Sequence, residues 1–193
     1  MDLTQGTTQE KRNRAKKMML WFGIISLIMS FAGLTSAFIV SSSREDWLSD
    51  FVLPSAFTYS TLIIVLSSIL LYAAKRALKK NQGTTTTSLL IGAFVLGIAF
   101  IYSQILGFNQ IIDSGYNFTG PTSNITMSYV YIIAVVHIVH VLAGIIGLIV
   151  VIINQLNKKY STENMLGFDL ASTFWHFVDI LWVYLFFFLY FFN

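Results

Sequence analysis

Apolar residues fall into five long runs along this chain, and short polar segments separate the runs. Each run reaches about 20 residues, the length that an α-helix needs to cross a hydrocarbon core of about 30 Å. The pattern predicts an all-α integral membrane protein with five transmembrane helices, at about residues 18–40, 53–74, 88–112, 126–153 and 170–192. A basic tail, residues 1–17, precedes them, and residues 18–193 are expected to form a single transmembrane domain.

The placement of the basic residues predicts how the chain crosses the membrane. Of the twelve lysines and arginines, all except Arg44 lie in the N-terminal tail or in the second and fourth loops. Because basic loops remain on the cytoplasmic side, the N-terminus is expected in the cytoplasm and the C-terminus in the periplasm. The basic residues flank apolar runs and form no basic face with interleaved aromatics, so we expect no nucleic-acid partner.

Composition narrows the classes of function. Hydrophobic residues make up 55% and charged residues 11% of the chain, whereas soluble domains are about 25% charged. The chain has no cysteine, so disulfides, thiolate metal sites and thiol nucleophiles are excluded. It contains no serine-hydrolase, metalloprotease or phosphate-binding motif. We therefore assign no catalytic residue and expect no active site within this chain.

Polar side chains inside the last two apolar runs are the candidate functional residues. His176 and Asp179 are three residues apart in the last run, where an aspartate costs about 2.5–3.5 kcal/mol on insertion scales and needs a partner or a function. In the preceding run, His137 and His140 share a helix face. Because the two runs are antiparallel across a short loop, we expect Asp179 to form a hydrogen bond with His137 or His140.

Three interpretations of these residues are open. Histidines with a carboxylate can bind metal or haem, but two histidines at i and i+3 are not sufficient, and the chain lacks a second cluster of ligands. A proton relay needs a chain of acids across the membrane, and Asp179 is the only carboxylate inside any run. We favour interhelical hydrogen bonding or contact with a lipid cleft, in which Trp175 also takes part, and we expect no cofactor or metal on this chain.

Small residues form stripes on two of the predicted helices. Residues of this kind at three- and four-residue steps let a second helix approach closely. The stripes predict helix packing at Gly23, Ser26, Ser30 and Gly33 of the first helix and at Gly144 and Gly147 of the fourth.

The motifs in these runs resemble those of subunit III of haem–copper terminal oxidases, the cytochrome c oxidase subunit 3 family. The stretch FWHFVDILWVYLF at 174–186 is similar to the family's WHFVD-x-x-W signature. The stretch SYVYIIAVVHIVHVLAGIIGL at 128–148 resembles its helix with H-x-x-H followed by small residues, and YSTENMLGFDLAS at 160–172 resembles its linker into the last helix. The likeness covers essentially the whole membrane part and fits the short, five-helix bacterial form.

The resemblance implies a structural, non-catalytic subunit of a proton-pumping oxidase in the bacterial cytoplasmic (inner) membrane. That oxidase would reduce dioxygen with electrons from cytochrome c or quinol. Members of the family hold no haem or copper, pack against the catalytic subunit I, which carries both, and bind phospholipid in a cleft. Leu27 stands where the family's first helix usually has a carboxylate, and Gln104 or Gly107 where its third helix often has an acid. No proton-related role is therefore carried over to those positions.

Two other functions stay open from the sequence. One is a related subunit of a nitric oxide reductase, which the motifs do not separate sharply. The other is a small independent membrane transporter or channel, although the chain lacks inverted repeats and helices interrupted by glycine and proline.

Overall fold

The structure is a computed structural model and describes residues 7–48, 52–118, 120, 123–161 and 164–192. Within these ranges the chain forms five α-helices, which are α1 Thr8–Ser41, α2 Ser55–Lys79, α3 Gly83–Asp113, α4 Ile125–Leu156 and α5 Leu166–Phe191. All five are long and apolar enough to cross a membrane. The described part contains no strand beyond one isolated bridge between Asn117 and Ser123. The predicted all-α membrane fold with five spanning helices is confirmed.

Helix α1 begins well before its apolar run. It contains 34 residues, about 51 Å of helix at 1.5 Å per residue, so its first turns extend beyond a hydrocarbon core of about 30 Å. A capping box starts it, in which Thr7 Oγ1 accepts from the Glu10 amide at 3.3 Å and Glu10 Oε2 accepts from the Thr7 amide at 2.8 Å. The predicted basic tail is thus helical from Thr8, and its residues 1–6 lie outside the described ranges.

Four of the helices form a ring. Helix α2 packs against α3 and α5, and α4 packs against the same two helices. Helix α1 lies outside this ring and, within the described residues, contacts only α4 and α5. The architecture is therefore a four-helix bundle with a fifth helix attached to one side, and grooves run along α5 on both flanks.

Large aromatic side chains fill the centre of the ring. Phe57, Phe100, Trp175 and Trp182 are all at most 1% exposed. The Trp182 ring centroid lies 5.8 Å from that of Phe57 and 5.4 Å from that of Phe100, both edge to face, a favourable geometry for aromatic pairs. The bundle therefore has a close-packed interior at this level.

Glycines make room for the Trp175 indole. A Cβ atom built on Gly97 of α3 would lie 2.7 Å from the indole, and one on Gly144 of α4 would lie 2.9 Å from it. Both distances are shorter than ordinary carbon contacts of about 3.5–4.0 Å. The indole thus occupies a space between three helices that only residues without a side chain provide.

Candidate functional site

A groove between α2 and α5 carries the main cluster of polar residues in the membrane-spanning region. Its volume is about 480 Å³, and it is lined by Val65, Ser68, Ile69 and Tyr72 of α2 and by His176, Asp179, Ile180 and Val183 of α5. Ser68, His176 and Asp179 lie near the midpoints of their helices. The groove is therefore an apolar depression with three polar side chains at the depth of the bilayer centre.

His176 joins α5 to α2. The Ser68 hydroxyl and His176 Nδ1 lie 2.5 Å apart and share a hydrogen bond. His176 is only half-buried, because its helix face borders the groove. Its interhelical contact is thus made with α2, whereas the sequence had directed attention to α4.

Asp179 has no hydrogen-bond partner among the described residues. Its side chain is almost fully buried, at 2% exposure, and neither carboxyl oxygen meets hydrogen-bond geometry with a described group. Ser68 interacts with this carboxyl, but without the distance and angles of a hydrogen bond. The predicted bond from Asp179 to His137 or His140 is therefore absent, because this part of α5 turns Asp179 towards α2 and its groove.

His137 lies in the core of the bundle. It is fully buried, and its ring centroid is 4.9 Å from that of Trp182 and 5.9 Å from that of Phe100. Neither ring nitrogen has a hydrogen-bond partner among the described residues. His137 therefore packs in this structure as a flat ring among aromatic side chains.

His140 faces α1. Its Nδ1 donates to the Val136 carbonyl at 2.7 Å, within its own helix, and its ring centroid lies 5.8 Å from that of Phe31. It lines a cavity of about 420 Å³ with Gly23, Ser26 and Phe174. Residues three apart on a helix differ by about 60° in direction, so His137 points into the core and His140 towards the cavity, while the Phe31 ring contacts both.

The stripe of small residues on α1 is exposed. Gly23, Ser26, Ser30 and Gly33 are all exposed, and a Cβ atom built on either glycine would meet nothing within 4 Å. No described helix of this chain packs closely there, so helix packing at these four residues stays a prediction. Of the two glycines predicted on α4, Gly144 lies against Trp175, and a Cβ on Gly147 would be 3.8 Å from the Ala171 side chain.

Hydroxyl groups of α2 accept hydrogen bonds from both buried tryptophans of α5. Trp175 Nε1 donates to Ser67 Oγ at 3.2 Å, and Trp182 Nε1 donates to Thr61 Oγ1 at 3.0 Å. Sequence reasoning missed these α2 residues. The sequence does contain a pattern that could have indicated them. Hydroxyl side chains recur at a seven-residue step, from 60 to 67 and from 61 to 68, and the two tryptophans are also seven residues apart.

A second polar layer joins α2 to α3. Gln104 Nε2 donates to Ser60 Oγ at 2.8 Å, and Ser103 Oγ donates to the Ala56 carbonyl at 3.0 Å. Both side chains of α3 are buried. Gln104, noted in the sequence only as a replacement for a family acid, is thus a contact between helices.

An ion pair lies where the C-terminal part of α2 meets the start of α5. Lys75 Nζ of α2 lies 2.8 Å from Asp169 Oδ1 of α5. The same two residues, with Lys17 and Trp21 of α1, line a cavity of about 240 Å³. Basic and aromatic side chains therefore surround a small polar recess where α1, α2 and α5 approach one another.

The histidines and the aspartate that were weighed as possible metal ligands do not converge. Across the described ranges, no group of three or more His, Asp or Glu residues is placed to hold a metal ion. His137 lies in the aromatic core, His140 faces α1, and Asp179 faces the α2 groove. The side chains that a metal would need as ligands thus lie in three different places in the structure.

Five long apolar helices around a close-packed aromatic core, with polar groups in lateral grooves, define a multi-pass α-helical membrane protein. The chain belongs to the cytochrome c oxidase subunit III family, because the family model of that description matches residues 3–193.

Curated relatives agree with this assignment. Cytochrome bo(3) ubiquinol oxidase subunit 3 of Buchnera aphidicola is 28% identical over 97% of this chain and 92% of its own length. Cytochrome c oxidase subunit 3 of Bacillus sp. strain PS3 is 27% identical over 94% and 87%. The probable cytochrome c oxidase subunit 3 of Rickettsia prowazekii is 36% identical over 68% of this chain and 46% of its own length.

Proposed function

We propose that this chain is the structural subunit III of a proton-pumping terminal oxidase, in which it stabilises the catalytic subunit I. The observation that carries the proposal is the family match over residues 3–193. The partner subunit would hold the haem and copper and reduce dioxygen with electrons from cytochrome c or quinol. This chain would contribute helix surfaces and lipid contacts to the assembly.

The interior of the bundle supports a structural role. Its centre is filled by aromatic side chains, and the tryptophan N–H groups are bonded to hydroxyls of a neighbouring helix. A transporter would need a polar path across the membrane, whereas the hydrogen-bonded buried side chains here, such as Ser103, Gln104 and Trp175, join neighbouring helices in pairs. The exposed stripe on α1 offers a surface on which a helix of a partner subunit can pack closely.

Phospholipid binding is proposed at the recess between α1, α2 and α5. Lys17 supplies an ammonium group and Trp21 an aromatic ring, beside the Lys75–Asp169 ion pair, around a cavity of about 240 Å³. Ammonium groups near the membrane surface attract lipid phosphate, and tryptophan favours the interface between headgroups and acyl chains. A phosphate headgroup would bind here with its acyl chains along the apolar cavity between α1 and α5.

The proposed orientation places the recess on the cytoplasmic side of the bacterial inner membrane. The basic residues of the α1 start, the α2 end and the loop after α4 then lie on that side. The N-terminus is cytoplasmic and the C-terminus periplasmic in this arrangement.

A mild-detergent pull-down of the whole chain tests the proposal. The expected result is a coloured complex whose optical spectrum shows haem and whose mass spectrum contains a large multi-span subunit. A folded, colourless chain recovered alone would contradict the proposal and favour an independent transporter. A haem protein that reduces nitric oxide but does not consume dioxygen would place the chain in a nitric oxide reductase.

A further inference from the structure

The groove between α2 and α5 contains a hydrogen-bonding group that the described chain leaves unused. Asp179 lies in the groove wall, is 2% exposed, and has no hydrogen bond to either oxygen. Ser68 and His176 beside it are bonded to each other. An occupant of the groove can therefore gain affinity by donating a hydrogen bond to the Asp179 carboxyl.

The depth of this carboxyl limits the chemistry of the occupant. Asp179 lies near the midpoint of α5, and Ser68 near the midpoint of α2. In a hydrocarbon core of about 30 Å, a phospholipid headgroup lies roughly 15 Å from that depth, and its acyl chains have no donor. A hydrocarbon-soluble molecule that carries a hydroxyl group can supply the missing donor at this depth.

The walls of the groove favour a flat aromatic body. Four aliphatic side chains and the Tyr72 ring line a volume of about 480 Å³, within the usual range of about 300–1,000 Å³ for small-molecule sites. Tyr72 is half-exposed, so its ring can stack on another ring. A phenolic hydroxyl is also more acidic than an aliphatic one, which strengthens the hydrogen bond that it donates.

We propose that this groove binds a membrane-soluble quinol, with the ring between α2 and α5 and one hydroxyl donating to Asp179. Both carboxyl oxygens are buried, so the proposed hydrogen bond requires the Asp179 side chain to rotate towards the groove. A carboxyl group accepts a hydrogen bond whether it is ionised or neutral. The proposal concerns binding alone, and it does not depend on the place of this chain in an oxidase.

Equilibrium binding of a radiolabelled decyl hydroquinone to the whole chain in quinone-free nanodiscs tests the proposal. Saturable binding is expected, and Asp179→Leu should weaken it about tenfold, the usual effect of losing one strong hydrogen bond. Asp179→Asn should retain most of the affinity, because its amide oxygen still accepts. The dimethyl ether of the probe, which has no donor, should bind wild type as weakly as the hydroquinone binds Asp179→Leu.

A second pair of variants tests the location of the site and remains informative if Asp179→Leu does not fold. Ile69 of α2 lines this groove and is 56% exposed, and Ile146 on the outer face of α4 is 63% exposed. Ile69→Trp should fill the groove and abolish saturable binding, whereas the matched control Ile146→Trp should leave it unchanged. Equal affinity for the ether, or binding that survives Ile69→Trp, would overturn the proposal.

Lack of saturable binding to wild type would overturn it as well. A photocrosslinker at Val65, used in native membranes, adds an independent criterion. Capture of another protein at that position in place of the labelled hydroquinone would show that a partner helix covers the groove, which also contradicts the quinol site.

Discussion

Individual polar residues in the membrane-spanning region differ in whether the fold satisfies them. The Trp175 and Trp182 N–H groups have acceptors on α2, whereas the His137 nitrogens and the Asp179 oxygens have none among the described residues. Leaving a buried polar group unpaired costs about 1–3 kcal/mol in proteins. Removing the satisfied and the unsatisfied groups should therefore have opposite effects on stability.

His137→Leu is expected to leave the isolated chain as stable as wild type or to stabilise it. The substitution removes two unpaired ring nitrogens from an apolar core, and that gain offsets lost aromatic contact of about 0.5–1.5 kcal/mol. Thermal unfolding in detergent, followed by circular dichroism, measures the effect. Destabilisation of more than about 3 kcal/mol would show that the ring nitrogens do form hydrogen bonds.

Glycine positions around Trp175 should be intolerant of even one methyl group. Gly144→Ala places a Cβ atom 2.9 Å from the Trp175 indole, and such overpacking costs about 1–3 kcal/mol. Gly147→Ala is the matched control on the same helix, because its Cβ atom would lie 3.8 Å from Ala171. The midpoint of thermal unfolding should fall for Gly144→Ala only, and equal midpoints would refute this packing.

At the scale of the element, α5 is held by different contacts on its two sides. Towards α2 it uses hydrogen bonds from Trp175, His176 and Trp182. Towards α4 it uses the fit of the Trp175 ring against Gly144 and the contact of Trp182 with His137. The α2 side therefore depends on hydroxyl groups, and the α4 side depends on shape.

Thr61→Val tests the hydrogen-bonded side of α5. Valine keeps the shape of threonine but removes the acceptor of Trp182 Nε1, so unfolding should become easier by about 1–2 kcal/mol. A double-mutant cycle with Trp182→Phe should give a coupling energy of about 1 kcal/mol. Thr61→Ser, which keeps the hydroxyl, is the control, and a coupling energy near zero would argue against the bond.

At the scale of the whole molecule, attachment of α1 outside the ring creates cavities beside α5. The recess with Lys17, Trp21 and Lys75 lies at one end. An apolar cavity of about 270 Å³ lies further along α1 and α5, between Phe31 and Tyr184. A polar recess followed by an apolar cavity matches a phospholipid, in which a polar headgroup is followed by apolar acyl chains.

Lys17→Met should lower the amount of anionic phospholipid that copurifies with the chain. One ammonium group near the membrane surface contributes about 1 kcal/mol of attraction to anionic lipid, so retention should fall several-fold. Lys158→Met is the charge-matched control, since Lys158 is exposed and lies outside the recess. Lipid mass spectrometry measures the anionic phospholipid that copurifies with each variant. Equal retention by the two variants would exclude a headgroup site at Lys17.

The sequence determined the five spans, the separation of basic loops from the others, and the family motifs at 128–148 and 174–186. Hydropathy and charge act over one helix length, so a local pattern records them. Only the tertiary structure decided that Asp179 and His176 face α2, that His137 lies in the aromatic core while His140 lines a cavity beside α1, and that the α1 stripe is exposed. These outcomes depend on how each helix is rotated about its axis and on which helices it packs against. Both are determined by contacts between side chains that are distant in sequence, so no single apolar run contains the information.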